Sequence, residues 1–213
     1  MSPPGRPKGD PERASGEGSP MSVHGWAEVL EFWFGAPDSP EFGRNRKRWF
    51  EKSADFDALV RDQFLATYEN AAGGKLDAWT ARPLAALALV VTLDQFPRNM
   101  FRGTARAFAT DPLALAVARG MMASGFDVAL APVQRTFVYL PFEHAEDLDA
   151  QREALRRLER VAGETSSASV MTYAMLHYAI VKRFGRFPHR NAILGRESTP
   201  DELAFLSRPG SSF

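Results

Sequence analysis

Apolar positions along this chain recur every three or four residues in segment after segment, and nowhere do they alternate in twos over a strand-length run. Trp26, Val29, Leu30 and Trp33 share one face of a short helix that Gly35 and Pro37 should end. Phe56, Leu59, Val60, Phe64 and Tyr68 form the stripe of a second helix. Ser53 is placed to cap it, Asp55 and Asp57 complement the dipole in its first turn, and Gly73-Gly74 stops it. From Leu84 to Phe96 the chain is apolar nearly all round, the pattern of a central buried helix, with Pro83 in its first turn. Pro97 is expected to end that helix, because its ring clash and missing N–H cost about 3 kcal/mol in a helix interior.

Further along, Asp111 is placed to cap a helix through Ala123, with Pro112 in its first turn and Gly125 closing it, and a second apolar helix runs from Pro132 to about Leu140. Pro141 is expected to kink or break it just before Glu143-His144-Ala145-Glu146-Asp147. Asp149 to Val161 reads as a charged outer helix with Leu148, Leu155 and Leu158 as its narrow buried edge. Ser166 or Ser167 opens the last long helix, whose face holds Val170, Tyr173, Ala174, Val181 and Phe184, with His177 and Tyr178 at its middle. Thr199-Pro200-Asp201-Glu202 is a capping box for a short helix to Leu206. The fold class is therefore all-α, about eight helices packed as antiparallel helical hairpins, in a right-handed array or a compact bundle.

Composition narrows this picture. The first 20 residues hold five prolines, four glycines and three serines, with little that can bury, so residues 1–21 are expected to be a disordered tail before a single domain over 22–213. No secretory h-region and no bilayer-length apolar run is present, which points to a cytoplasmic protein without a membrane partner. The 26 basic and 26 acidic residues cancel, so no overall field draws the molecule to nucleic acid. The absence of cysteine excludes disulfides, thiolate metal ligands and a cysteine nucleophile.

One phrase occurs twice. Asp94 to Thr104 reads DQFPRNMFRGT and Phe184 to Thr199 reads FGRFPHRNAILGREST, so a Phe-Pro-Arg-Asn turn is echoed with one inserted residue, each time after a helix. The first supplies Asp94, Arg98, Asn99, Arg102 and Arg106. The second supplies Arg186, His189, Arg190, Asn191 and Arg196, pinned by Phe187-Pro188 and Ile193-Leu194. Guanidinium forks suit a carboxylate or phosphate. The same arginines equally suit helix-end carbonyls and ion pairs with Asp94 or Asp111. Glu143 and His144 are the best acid and base candidates, with Asp147 within helical reach to orient the imidazole; Glu143 equally suits Arg98 or Arg190 as a partner. The segment lacks His-x-x-x-His and Glu-x-x-His, so no metal site is read there, and no Gly-x-Ser-x-Gly, Gly-x-x-x-x-Gly-Lys or Gly-x-Gly-x-x-Gly motif occurs. No cofactor is indicated.

Together FWFG at 32–35, RWF at 48–50, LDQFPRNMFRGTARAFATD at 93–111, YLPFEHAEDL at 139–148 and GRFPHRNAILGRESTPDEL at 185–203 resemble the bacterial domain-of-unknown-function family 924, from about Trp26 to Phe213. The resemblance implies an all-helical, tetratricopeptide-like fold and carries no activity. Two readings stay open: a site for a small anionic ligand, with or without a reaction, built from both phrases and Glu143-His144, and a helical scaffold that binds a protein or peptide on a concave face. The first requires Arg98, Glu143, Arg190 and Asn191 to gather around one depression.

Overall fold

A computed structural model describes residues 22–165 and 168–211. The N-terminal tail and the Ser166 or Ser167 cap lie outside the described residues. Within them the chain is all-α, with no strand. The helices are α1 (Trp26–Phe34), α2 (Ala54–Ala72), α3 (Pro83–Val90), α4 (Phe96–Met100), α5 (Asp111–Ala123), α6 (Pro132–Glu143), α7 (Leu148–Thr165), α8 (Ala168–Phe184) and α9 (Pro200–Leu206). Ser53 caps α2 by accepting the Phe56 N–H, and Thr199 and Glu202 close a reciprocal capping box on α9. α3 is buried from Ala85 to Val90 and packs on α1, α5 and α6, while α6, α7 and α8 pack in succession.

The two aromatic phrases FWFG and RWF are absorbed by packing. Gly35 ends α1 with φ +92°, and the carbonyls of Phe32 and Trp33 left open there are taken by side chains from the next loop. Arg46 donates to both, at 3.1 and 2.9 Å, Arg48 donates to Phe32, and the Trp49 indole donates to Trp33 at 2.9 Å. Trp33, Phe34, Trp49 and Phe137 then interlock edge to face in the core.

Two proline expectations need correction. Pro97 does not end its helix. The chain widens into a π-helical turn over Val91–Gln95 and continues as α4, so α3, the π turn and α4 form one rod. Pro97 cannot donate to the Leu93 carbonyl four residues back, and that carbonyl instead accepts the Thr110 hydroxyl at 2.6 Å. The next carbonyl, Asp94, accepts from the Arg98 guanidinium at 2.5 Å. Outside donors thus replace what proline removes, and the inserted residue re-aims Asp94. Pro141 likewise sits inside α6, which runs on to Glu143; its C-terminal carbonyls at Glu143 and Ala145 are held by the Gln151 amide from α7.

Candidate functional site

The π turn sets Asp94 fully buried, with a relative exposure of 0%. A carboxylate there needs compensation, since an unpaired charge out of water costs several kcal/mol. Three groups converge on it. His144 Nδ1 lies 2.8 Å from Asp94 Oδ1, the Gln95 amide donates to Oδ2 at 2.5 Å, and Arg98 is 3.3 Å away. Burial would raise the Asp94 carboxyl, but the Arg98 and His144 contacts outweigh it and hold the group below the usual carboxylate range. Asp94 is therefore an ionised acceptor, and His144 Nδ1 must carry the proton that joins them. His144 itself is held below its ordinary value, by burial first and by Arg98 second, against the pull of Asp94. It is a neutral imidazole at pH 7 with its lone pair on Nε2, and that nitrogen makes no hydrogen bond among the described residues.

Arg98 reaches the other way as well. It donates two parallel bonds to Asp111, at 2.8 and 3.0 Å, at the N-terminus of α5. Asp111 also accepts from Arg190, at 3.3 Å, so the two phrases meet on one carboxylate although 92 residues separate their arginines. Arg190 stands at the end of a 3-10 turn, Pro188–Arg190, with its side chain only 8% exposed. Its guanidinium lies over the rings of Phe108 and Phe187, 4.5 Å from each centroid. Phe187 touches His177 at 5.5 Å, and His177 lies 6.1 Å from His144. The contacts close on themselves: Arg190, Asp111, Arg98, Asp94, His144, His177 and Phe187 form a ring drawn from the π turn, α4, α5, α6, α8 and the second phrase.

Within this ring Arg190 is under-satisfied. A guanidinium offers five N–H donors, and among the described residues this one makes a single long bond and its buried Nε has no partner. Burial, and Arg98 next, lower it to about 10 despite Asp111 and Glu146 nearby. Beside it, burial and Arg190 lower His189 to about 4. Glu146 accepts two bonds from Arg196, at 2.5 and 2.9 Å, and the Phe187 N–H at 2.8 Å, which fixes the second phrase against the end of α6. Although burial opposes it, these bonds hold Glu146 below its ordinary value.

Several expected pairings differ from those found. Glu143 partners neither Arg98 nor Arg190; its Oε1 lies 3.0 Å from His177 Nδ1 on α8, so the chain continues as a second histidine–carboxylate pair. Asp147 does not orient His144; it accepts the Ala150 N–H as the first turn of α7 begins. Arg102 pairs with Asp57, which also holds Asn99 at 2.8 Å, and Arg106 pairs with Glu69. Arg186 turns to Glu202, bonding it at 2.7 and 2.8 Å. Asn191 is buried beside the ring, accepting from Arg196 at 3.0 Å and donating to Ser198. The sequence offered Asp111 only as an ion-pair partner for the arginines and did not point to Phe108, though both stand within the phrase at 93–111; His177 entered only as the middle of the last long helix's apolar face.

Two concavities open elsewhere. One, of about 480 Å³, lies along Pro40 to Arg48, where Arg46 and Arg48 are already committed to the end of α1; the other, of about 290 Å³, lies between Asn45 and Val170. Neither includes a residue of the ring. Among the described residues no three His, Asp or Glu side chains are placed to hold a metal ion, and no helix is long and apolar enough to cross a membrane.

With this geometry in hand, a family model described as "Bacterial protein of unknown function (DUF924)" matches residues 29–210. The chain belongs to this family. The match spans both phrases and every residue of the ring. A solved structure of a protein of unknown function from Agrobacterium tumefaciens is similar at 42% identity and a TM-score of 0.74, covering 85% of this chain and 96% of that one. No curated protein matches.

Proposed function

We propose that this DUF924 protein binds a small anionic ligand at the ring, with Arg190 as the principal anion contact and Arg98 behind it. Arg196, Asn191 and His189 support the second phrase around it, and His144 and Glu143 are the candidate acid–base groups. Arg190 carries the reading. A side chain more than nine-tenths buried, lying over two phenylalanine rings, keeps a buried Nε with no hydrogen-bond partner among the described residues, and its Nη2 donates to none of them either. Buried donors are satisfied as a rule, so an edge that suits two oxygens and has neither is a place where a ligand supplies them. Arg98 shows the contrast: its bonds to Asp111 and Asp94 make it a structural cation. Asn99, Arg102 and Arg186 are spent on Asp57 and Glu202 and stand outside the proposal.

The test is a thermal-shift comparison of wild type and Arg190→Met with formate, acetate, phosphate and sulfate. An anion at a hundred times its Kd stabilises by about 2.7 kcal/mol. For a domain of this size that is roughly 5 to 11 °C in Tm. At least one anion should stabilise wild type, and none should stabilise the variant equally. If no anion moves wild type, the binding reading fails.

A further inference from the structure

We infer that the ligand of this ring is a carboxylate that also carries a hydroxyl, its two oxygens taken by the Arg190 edge and its hydroxyl proton accepted by His144 Nε2. The inference rests on the binding reading above and deepens it. It follows from the donors and acceptors left over on opposite arcs of the ring. Arg190 offers only donors, in a planar edge that matches a planar carboxylate. Asp111, shared with Arg98, and Glu146 stand close to Arg190 and would repel a second negative charge, which favours a monoanion over a phosphate dianion.

His144 imposes the complementary demand. Because Asp94 accepts the Nδ1 proton, Nε2 is an acceptor, and the group that satisfies it must donate. The charged and titratable groups facing this imidazole all leave it in that state. Asp94 from the π turn fixes the tautomer, Arg98 from α4 opposes a second proton, Asp111 from α5 is taken up by Arg98 and Arg190, and Glu143 is engaged by His177 of α8. A bare carboxylate would satisfy Arg190 and leave Nε2 to water. A hydroxyl on the neighbouring carbon meets both.

Two measurements on the full chain test this. Two-bond ¹⁵N–¹H correlation at pH 7 should show His144 as the Nδ1–H tautomer; an Nε2–H tautomer overturns the inference. Calorimetric titration should then compare glycolate with acetate, which lack nothing relative to one another except the hydroxyl. Glycolate should bind wild type about tenfold more tightly, the worth of one added hydrogen bond in a buried site. In His144→Asn the preference for glycolate over acetate should vanish. Equal binding of the two acids to wild type, or a preference that survives in His144→Asn, overturns the hydroxyl assignment and leaves the anion site standing. Failure of both acids to bind wild type overturns this inference, and the anion site with it if phosphate and sulfate fail too.

Discussion

Replacing Arg98 and Arg190 separately by methionine distinguishes a cation that holds the fold from one that awaits a ligand. Both side chains are largely buried and both touch Asp111, so a reading based on proximity alone would predict similar costs. The bond inventories differ. Arg98 gives Asp111 two bonds, at 2.8 and 3.0 Å, gives the Asp94 carbonyl one at 2.5 Å, and lies 3.3 Å from the Asp94 carboxylate. Removing it leaves a fully buried carboxylate with only its hydrogen bonds to His144 and Gln95, and reopens a carbonyl in the π turn. Breaking a buried pair from one side costs about 3 to 5 kcal/mol. Arg190 gives one bond of 3.3 Å, and Asp111 keeps both Arg98 bonds when it is lost. Methionine would keep sulfur–aromatic contacts with Phe108 and Phe187, worth roughly 0.3 to 1.5 kcal/mol, in place of the cation–π contacts, and would remove a poorly compensated charge. Its net effect should lie within about 1 kcal/mol of wild type, since truncating a largely unpaired charge removes desolvation cost along with contact. Urea unfolding reads this directly, as a shift in midpoint at constant slope. If Arg190→Met is as damaging as Arg98→Met, Arg190 belongs to the structural network and the ligand site is wrong.

Other expected outcomes follow from the same contacts. His144 and His189 are both held below the ordinary histidine value, the latter to about 4, so between that pH and the ordinary value of 6.5 the unfolded chain binds protons that the folded one refuses. Stability should therefore fall as pH drops from 6.5 to 4, and a His189→Gln variant should show a shallower fall in a pH series of Tm. Gln151→Leu should cost about 1 to 3 kcal/mol, because the carbonyls of Glu143 and Ala145 lose the amide that holds them, and urea unfolding should show it. Gly35→Ala should destabilise by about 1 to 3 kcal/mol, since φ is +92° and a Cβ there would meet the Ser39 hydroxyl at 2.7 Å; an unchanged Tm would contradict the turn described.

Much of the helical order was legible because it is written locally. The Ser53 cap, the Thr199 capping box and the Gly73 stop each act within four residues and stand where the pattern placed them, whereas Asp111 is the first residue of α5 and Thr110, not Asp111, holds the cap position. Pro97 misled because its cost is set by whether another group can replace the lost bond. The replacement, the Thr110 hydroxyl, lies 17 residues from the Leu93 carbonyl. The meeting of the two phrases was legible from their echo and charge. Partner choice was not: Asp94 with His144, Glu143 with His177 and Asn99 with Asp57 are matters of which helix faces which, and no spacing along one helix encodes them.

A crystal structure of the full chain determined with glycolate shows whether Arg190 is the anion contact. The expected result is a carboxylate with two oxygens at about 2.7 to 2.9 Å from Arg190 Nε and Nη2, in the plane of the guanidinium. Glycolate bound elsewhere, or an Arg190 edge occupied only by protein groups, would contradict it.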